Sequence, residues 1–432
     1  MTPHVTATIV LLGAFGLLIV VRLPITFALI GSSLVAGLCV GQPLMVIWQR
    51  MIQGVQSFSL LAVPFFILAG EIMLSGGIAQ RLVDFSDVII GRIRGGLAQV
   101  NILSSTFFGA VSGSTTADVS SVGATLIPVM VKQGYDRDFS VSVTVTSACQ
   151  SMIIPPSHNM ILYALAAGGV SAGRLFLAGM IPGCLLGLSL MVTAYIITIR
   201  RNYPKGRKYT FWEAVRVTKD SLLGLMTIVI ILVGVTTGYF TATESAAIAC
   251  VYAFFITFFV YRQIPLGAMW GILYRAGKTL AMVLSIIAAA NGFGYMLSFL
   301  KVPAMVTGWM LSVTDSPTLL LLLINLMLLG LGCIMDVAPL IMIVTPILLP
   351  VVKNTIGMDP VQFGIVMLLN LAVGACTPPV GLTLFTGCAV GKIPMEKVMR
   401  SILPFYLAMV MTLFLATYIP ALSLFLPNWL MP

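Results

Sequence analysis

The chain has 432 residues, of which 59% are hydrophobic and only 8% are charged. A soluble domain carries about a quarter charged residues, so this composition excludes a soluble fold. The net charge of +10 is typical of basic cytoplasmic loops in a membrane protein, and we expect no nucleic-acid partner.

Repeated apolar runs of about 20 residues predict an all-α polytopic membrane protein. The first run lacks a basic leader and a small-residue cleavage site, so we interpret it as a membrane helix and not a signal peptide. Ten crossings are predicted, at residues 5–21, 24–41, 54–75, 139–170, 175–199, 222–240, 243–262, 279–299, 361–391 and 402–426.

Two further apolar stretches, 96–131 and 318–352, are each too long for one crossing and too short for two. Each has a weak point in its middle, at 112–116 in the first and at 330–333 in the second. Both stretches are therefore predicted to be re-entrant helical hairpins. Irregular backbone of this kind is tolerated within a membrane only where protein or a watery cavity surrounds it.

The distribution of basic residues orients this layout. With the N-terminus outside, 19 of the 23 Lys and Arg residues fall in cytoplasmic loops and connectors, and seven of these lie in the polar stretch 200–220. The positive-inside rule favours that arrangement, and a different set of spans remains the alternative. We therefore expect the N-terminus to lie outside and the basic loop to face anionic lipid on the cytoplasmic side.

An internal repeat is indicated by paired signals about 223 residues apart. The chain has two Pro-Pro pairs, Pro155-Pro156 and Pro378-Pro379, at that separation. Further anchors follow in the same order: Gly134 with Gly357, Pro128 with Pro350, Pro182 with Pro404, and Asp118 with Asp336.

The repeat divides the chain into N-terminal scaffold helices (1–53), a first repeat (54–199), a basic loop with linking helices (200–278) and a second repeat (279–426). Each repeat holds a helix, an amphipathic connector (77–94 or 303–313), a hairpin, a broken helix (139–170 or 361–391) and a final helix. An odd number of crossings per repeat predicts opposite topologies, a feature of many secondary transporters.

The first hairpin tip contains Ser112, Gly113, Ser114 and Thr115. Its hydroxyls and freed carbonyls offer oxygen ligands for an alkali cation, and the start of the return arm suits an anion. A small-residue contact between helices is the alternative interpretation.

The helix breaks are predicted at Pro155 and its Pro-Pro-Ser-His-Asn segment, and at Thr377-Pro378-Pro379. A double proline leaves upstream carbonyls without helical partners, and a bound cation could satisfy them. A simple proline kink is the alternative. We predict Na⁺ ligands at Ser112, Gly113, Ser114, Pro155, Gly332, Cys333, Gly374 and Thr377, and substrate contacts at Ser114, Thr115, Asn159, Thr377 and Arg50.

The remaining candidate groups receive simpler interpretations. Asp118 and Asp336 are predicted to cap the return arms of the hairpins, and the scarcity of acids favours Na⁺ over H⁺ coupling. His158 has no metal-spaced partner, and the seven cysteines predict neither disulfides nor a zinc site. Arg50 could equally be an interfacial anchor.

Taken together, these motifs resemble those of the large membrane subunit of TRAP transporters, the DctM/SiaM type. The resemblance covers nearly the whole chain. It rests on residues 60–70 (LLAVPFFILAG), 112–118, 155–157, 176–183 (FLAGMIPG), 243–247 (TESAA) and 377–381 (TPPVG).

The resemblance implies an elevator-type, Na⁺-coupled importer of organic acids without other cofactors. It also implies a small four-helix membrane subunit and a periplasmic substrate-binding protein as partners, and Na⁺ and substrate elements at the hairpin tips and helix breaks. Cys333 departs from a hydroxyl-bearing tip, so that tip supplies carbonyls more readily than hydroxyls. A stand-alone Na⁺/carboxylate symporter is the alternative. An intramembrane enzyme is disfavoured because no catalytic pair is found, and a channel because inverted repeats suit alternating access better.

Overall fold

The computed structural model describes residues 3–207 and 209–431, which are built almost entirely from helices. Two apolar helices, α1 (Pro3–Val20) and α2 (Ile25–Cys39), match the first two predicted crossings. They are followed by α3 (Leu44–Gly54), which we did not predict. It is short and amphipathic, burying Ile47 and Met51 at a spacing of four, so it lacks the long apolar run by which crossings are recognised.

The first repeat begins with a 3₁₀ turn (Phe58–Leu61) and contains the predicted hairpin and broken helix. The hairpin folds back at Gly113-Ser114, and the broken helix is interrupted from Cys149 to Ser157. Its helices are α4 (Ala62–Ser75), α5 (Ile78–Ile90), α6 (Gly96–Ser112), α7 (Thr115–Asp118), α8 (Ala124–Lys132), α9 (Arg137–Ala148), α10 (His158–Ala166) and α11 (Ala172–Arg200). A π-helical segment, Val119–Gly123, joins α7 to α8.

The linking region has less loop than predicted. Helix α12 (Phe211–Thr236) already begins within the polar stretch 200–220. Its start is stabilised by a capping interaction in which the Glu213 carboxylate accepts the Thr210 backbone N–H at 3.0 Å. Helix α13 (Ala242–Phe255) follows and ends in a π-helical turn, Ile256–Tyr261.

The second repeat has the same order of elements after a 3₁₀ turn, Leu266–Ala268. Its helices are α14 (Met269–Phe299), α15 (Val302–Val313), α16 (Pro317–Gly332), α17 (Val337–Val351, continued by a π-helical turn Val352–Ile356), α18 (Pro360–Ala375), α19 (Leu382–Gly391), α20 (Met395–Tyr418) and α21 (Pro420–Leu430).

Two boundaries in this repeat differ from the prediction. The second tip lies at Cys333–Asp336 and not at Gly330, because a glycine within an apolar helix does not end it and Asp336 caps the next helix. The final crossing, predicted as 402–426, ends at Tyr418. Ile419 leaves the helical conformation (φ −116°, ψ 90°) before Pro420 starts a new helix.

Helix lengths refine the predicted crossings. Among the described residues, six helical segments are long and apolar enough to cross a membrane, or seven if α4 and α5, which are bent by 71°, count as one broken span. Five of the six are α11, α12, α13, α14 and α20, all predicted as crossings, and the sixth is the return arm Val337–Ile356. The predicted crossings at 139–170 and 361–391 are built from two shorter helices each, as their double prolines require.

The two repeats interlock at the centre of the molecule. Helix α10 of the first repeat packs against α17 of the second, and α19 of the second packs against the π-helical segment of the first hairpin. Every residue of α18 from Val361 to Ala375 is buried, as is every residue of α9 from Phe139 to Ala148. Helices buried on all sides form a core, so the two broken helices are the centre around which the hairpins pack.

Candidate functional site

The tip of the first hairpin lies against the break of the first broken helix. Gly113 turns the chain in the left-handed conformation (φ +60°), and the Asn159 side-chain amide donates to its carbonyl at 3.0 Å. A Cβ atom at Gly113 would lie 2.7 Å from His158 Nδ1, so only glycine fits at this position. Pro155 belongs to the same break, and its peptide bond to Pro156 is cis.

Hydroxyl groups surround this tip. The Ser114 backbone N–H donates to Ser112 Oγ at 3.4 Å, and Ser114 Oγ lies 3.1 Å from Thr116 Oγ1. Ser114 also caps the return arm, because its Oγ accepts the Ala117 N–H at 3.4 Å. The tip thus gathers several neutral oxygen atoms, which hard cations prefer as ligands.

The second tip lies against the second break through direct glycine contact. A Cβ atom on Gly374 would lie 2.7 Å from Gly332 Cα and 3.1 Å from Cys333 N. The structure therefore brings three of the predicted residues, Gly332, Cys333 and Gly374, together by backbone approach. The fourth, Thr377, lies in the break and donates its hydroxyl to the Val373 carbonyl at 2.7 Å.

The Cys333 carbonyl, which we predicted to be a free cation ligand, has two backbone partners. It accepts the N–H of Val380 at 3.1 Å and that of Gly381 at 3.4 Å. Because a carbonyl oxygen has two lone pairs, both are used in this conformation. A cation at this oxygen would have to displace one of these hydrogen bonds.

The two repeats meet between the tips. Thr115 of the first tip and Thr383 of α19 have hydroxyl oxygens 2.7 Å apart, and both side chains are buried. The side chains of Cys149 and Cys376 are also in contact, with the Cys149 thiol donating to the Ala372 carbonyl at 3.2 Å. Both cysteines are free thiols.

A cavity of about 370 Å³ opens beside the first tip. It lies between the tip on one side and α4 and α14 on the other. Glu71, on its wall, forms an ion pair with Arg275 (3.1 Å) that joins α4 to α14. The lining residues are Ile67, Gly70, Glu71, Leu74, Ser112, Ser114, Thr116, Ala117, Ser120, His158, Thr279, Val283 and Thr386.

Arg50 is not part of this cavity. Its guanidinium lies 5.1 Å from the centre of the Tyr295 ring, and it lines a separate cavity of about 390 Å³ with Asn291 and Ser298. This second cavity shares no lining residue with the first. The structure therefore does not group Arg50 with Ser114, Thr115 and Asn159.

The acidic residues divide into two groups. Asp336 caps α17 as predicted, because its Oδ1 accepts the Val337 N–H at 2.8 Å. Glu244 caps α13 by accepting the Thr241 N–H at 2.8 Å. The capping prediction for Asp118 is wrong, because Ser114 occupies the cap position and Asp118 lies at the far end of α7, fully buried.

Sequence reasoning missed the contribution of His158 and Thr383. His158 was interpreted as a hydrogen-bonding residue of the helix break and not as a metal ligand, and its ring in addition lies against Gly113 and lines the first cavity. Thr383 carried no signal, since it contacts Thr115 across 268 residues of sequence. Its position five residues after Pro378, on the far side of a predicted break, was the available hint.

Comparison with known proteins places this chain in a family. Residues 12–422 match the sequence model of the DctM component of tripartite ATP-independent periplasmic transporters. The chain is 42% identical over 432 residues to the uncharacterized protein YgiK of Salmonella typhimurium, covering 99% of both chains. It is 40% identical over 381 residues to the C4-dicarboxylate TRAP transporter large permease protein DctM of Pseudomonas aeruginosa, covering 88% of this chain and 89% of that protein.

The fold is also similar to that of a solved structure. The YdaH transporter of Alcanivorax borkumensis superposes with a TM-score of 0.64, covering 87% of this chain and 89% of the other at 13% sequence identity. The similarity is one of fold, and it agrees with the predicted polytopic membrane architecture.

Proposed function

Because the chain belongs to the family of the DctM component of tripartite ATP-independent periplasmic transporters, we propose that it is the membrane permease of a Na⁺-coupled importer of organic acids. The observation that carries this proposal is the meeting of two hairpin tips with two helix breaks, at Gly113 with His158 and at Gly332 with Gly374. Interrupted helices at a repeat interface supply unwound backbone for ions and helix ends for an anionic substrate.

The proposed Na⁺ ligands are the oxygen atoms of Ser112, Gly113, Ser114 and Pro155 in the first half, and those of Gly332, Cys333, Gly374 and Thr377 in the second. The Asn159 amide holds the Gly113 carbonyl in place (3.0 Å), so this oxygen is fixed before any ion arrives. At the second tip, ion binding has to replace a hydrogen bond to the Cys333 carbonyl. We therefore expect the first site to bind Na⁺ more readily than the second.

The substrate is proposed to bind in the cavity beside the first tip, where Ser114 lies at the wall and Thr115 and Asn159 lie behind it. The relative from Pseudomonas aeruginosa is named for C4-dicarboxylates, so these are the first compounds to test. Arg50, in its own cavity, would attract the anion before it reaches the tip.

An elevator movement is proposed in which the hairpins and broken helices slide along α4 and α14. The Glu71–Arg275 ion pair supports this division, because it ties α4 to α14 on the side of the cavity opposite the tip and involves no residue of the hairpin. The same division assigns residues 1–53 and 200–278 to the scaffold. The two repeats, 54–199 and 279–426, each contribute one scaffold helix and one set of moving elements.

The proposed partners are a small four-helix membrane subunit and a periplasmic substrate-binding protein, in a bacterial inner membrane with the N-terminus periplasmic. The test is uptake into proteoliposomes that contain the chain and the small membrane subunit encoded beside it. Radiolabelled succinate, malate and fumarate are supplied with an inward Na⁺ gradient, with and without the binding protein.

Uptake that needs both the Na⁺ gradient and the binding protein is the expected result. Uptake driven by Na⁺ without the binding protein would instead identify a stand-alone symporter. Uptake that is equal in Na⁺ and K⁺ would contradict the proposed coupling.

A further inference from the structure

Asp118 is a buried carboxylate whose charge has no visible compensation. It is 0% exposed, and among the described residues the only hydrogen bond to its carboxylate is from Ser105 Oγ to Oδ1 at 3.2 Å. Its second oxygen, Oδ2, is buried and has no hydrogen-bond partner among the described residues. No cationic side chain in that part of the chain forms an ion pair with it. An isolated ionised carboxylate in an apolar interior is very costly, so this carboxyl has to be neutralised, either by a proton or by a bound cation.

The surroundings of Asp118 are rich in neutral oxygen atoms. Ser105 Oγ lies 3.1 Å from Ser147 Oγ, which in turn donates to Asn101 Oδ1 at 3.3 Å. All three residues are fully buried, and they lie on α6 and α9, the helices that pack beside the return arm. These atoms are hard ligands, and no cluster of three His, Cys, Asp or Glu side chains occurs in the described chain that would suit a transition metal.

The backbone next to Asp118 contains a π-helical segment, a feature that is frequent at functional sites. The return arm changes from α-helix to π-helix at Val119, immediately after the aspartate. The buried hydroxyl of Ser104, which precedes Ser105 on α6, also has no hydrogen-bond partner among the described residues.

The second repeat has no equivalent arrangement. Its paired aspartate, Asp336, uses its carboxylate to cap α17. The residue of the second broken helix that corresponds to Ser147 is Asn370. Asn370 donates to Asn325 Oδ1 at 2.6 Å, in a network that contains no carboxylate. The site is thus a property of one repeat and not a consequence of the repeat symmetry.

We propose that Asp118, Ser105 and Ser147, with Asn101 behind them, form a Na⁺ site within the first hairpin, separate from the oxygen atoms at its tip. This inference deepens the Na⁺ coupling proposed above and rests on it only for the identity of the ion. A cation bound between the two arms would neutralise the carboxylate and join the hairpin to α9. The hairpin would then be most stable when Na⁺ is bound.

The test is thermal unfolding of the purified full-length chain in detergent, in NaCl, KCl or choline chloride at equal ionic strength. The variants are Asp118→Asn, Ser105→Ala and the control Asp359→Asn, which removes a capping carboxylate at the start of α18, away from both tips. For the original chain we expect Na⁺ alone to raise Tm. In Asp118→Asn we expect a higher Tm without Na⁺, because the uncompensated charge is gone, and about a tenfold or greater rise in the Na⁺ concentration needed for half of the shift.

Asp359→Asn is expected to keep the original Na⁺ midpoint, and Ser105→Ala, which retains the carboxylate of Asp118, is expected to raise it. If Asp118→Asn does not fold, Ser105→Ala carries the test. An unchanged Na⁺ midpoint in the folded variants would overturn the site, as would the absence of any Na⁺ shift in the original chain. Tm is also measured as a function of pH. If Asp118→Asn loses the pH dependence of Tm but keeps the original Na⁺ midpoint, the carboxyl binds a proton and not Na⁺, and this result would also overturn the site.

These outcomes separate the site from the proposed function. Suppose that the Na⁺-dependent rise in Tm is lost in Asp118→Asn and that uptake does not depend on the Na⁺ gradient. This result would support the site and contradict the proposed Na⁺ coupling. Uptake driven by Na⁺ together with a normal Na⁺ midpoint in Asp118→Asn would do the reverse.

Discussion

The hydroxyl oxygens of Ser189 and Thr412 lie 3.3 Å apart, although the two residues are separated by 223 positions in the chain. The same separation relates the two Pro-Pro pairs and the contact between Cys149 and Ala372. When two units are related by a two-fold axis, a residue that touches its own counterpart lies at that axis. These two contacts are what we expect if the repeat inferred from sequence is a pseudo-two-fold relation whose axis passes between α11 and α20 and between the two broken helices.

The contact of Gly332 with Gly374 predicts a strong effect of a single methyl group. In Gly374→Ala, the new Cβ would lie 2.7 Å from Gly332 Cα, a backbone atom that cannot move aside cheaply. We expect a loss of roughly 1–3 kcal/mol in stability and a large loss of uptake.

Gly330→Ala is the matched control for that substitution. It lies on the same hairpin arm, and its added Cβ would meet nothing within 4 Å. Thermal unfolding and uptake of both variants give the comparison. Equal behaviour of the two variants would show that the second tip does not depend on close backbone approach.

The C-terminal end of α11 is held by a buried tyrosine. Tyr203 donates to Asp136 Oδ2 at 2.6 Å, and Arg201 forms an ion pair with the same oxygen at 2.9 Å. We expect Tyr203→Phe to lower stability by about 1 kcal/mol while uptake continues, because this contact is remote from the hairpin tips.

Burial raises the pKa of Tyr203 to about 12, above its unfolded value of about 10. The neutral phenol is favoured in the folded chain, so its contribution is complete below pH 10 and falls as the pH rises from there towards 12. The destabilisation by Tyr203→Phe should therefore be constant between pH 6 and 9 in urea or thermal unfolding. A marked change across that range would contradict the proposed hydrogen bond.

The proposed sliding movement predicts opposite effects of two cross-links. Gly70 on α4 approaches the first tip, with its ideal Cβ 3.8 Å from Ser112 Cα. We expect oxidation of a Gly70→Cys, Ser112→Cys variant to arrest uptake, because it joins the scaffold to a moving element. Comparing the reduced and oxidised forms at saturating Na⁺ removes the effect of the substitutions themselves.

The control links α12 of the scaffold to α5, the connector that packs along α12. The proposed movement involves the hairpins and broken helices and does not include this connector. The ideal Cβ of Gly224 on α12 lies 3.9 Å from the Cβ of Ile78 on α5, a separation that suits a disulfide. The Gly224→Cys, Ile78→Cys variant should transport equally well when reduced and when oxidised. Continued uptake by the oxidised Gly70→Cys, Ser112→Cys variant would contradict an elevator movement along α4.

The elements that the sequence predicted well are those marked by strong local signals. The double prolines at Pro155 and Pro378 predict both broken helices, because proline removes a backbone donor wherever it lies. The turn at Gly113 was equally readable, since glycine and serine interrupt an apolar run. Helix α3 escaped notice because its apolar residues, such as Ile47 and Met51, occupy one face only.

The parts of the site that could not be predicted depend on tertiary packing. The contact between Thr115 and Thr383 joins different repeats, so no local pattern contains it. Asp118 was interpreted as a cap from its place near a turn, yet its burial arises from α6 and α9, which close over it only in the folded chain. Arg50 was grouped with the tip on charge alone, and the fold separates them.

The central claim is that the hydroxyls of the first hairpin tip serve Na⁺ coupling, and the Ser112→Ala, Ser114→Ala double variant tests it most directly. The matched control is Ser285→Ala, an exposed serine on α14 whose hydroxyl bonds only to its own helix. Initial uptake is measured in proteoliposomes over a series of Na⁺ concentrations, with membrane abundance checked by immunoblot. We predict normal abundance and a large loss of Na⁺-dependent uptake in the double variant, with Ser285→Ala unchanged. An unaltered Na⁺ dependence in the double variant would contradict the account.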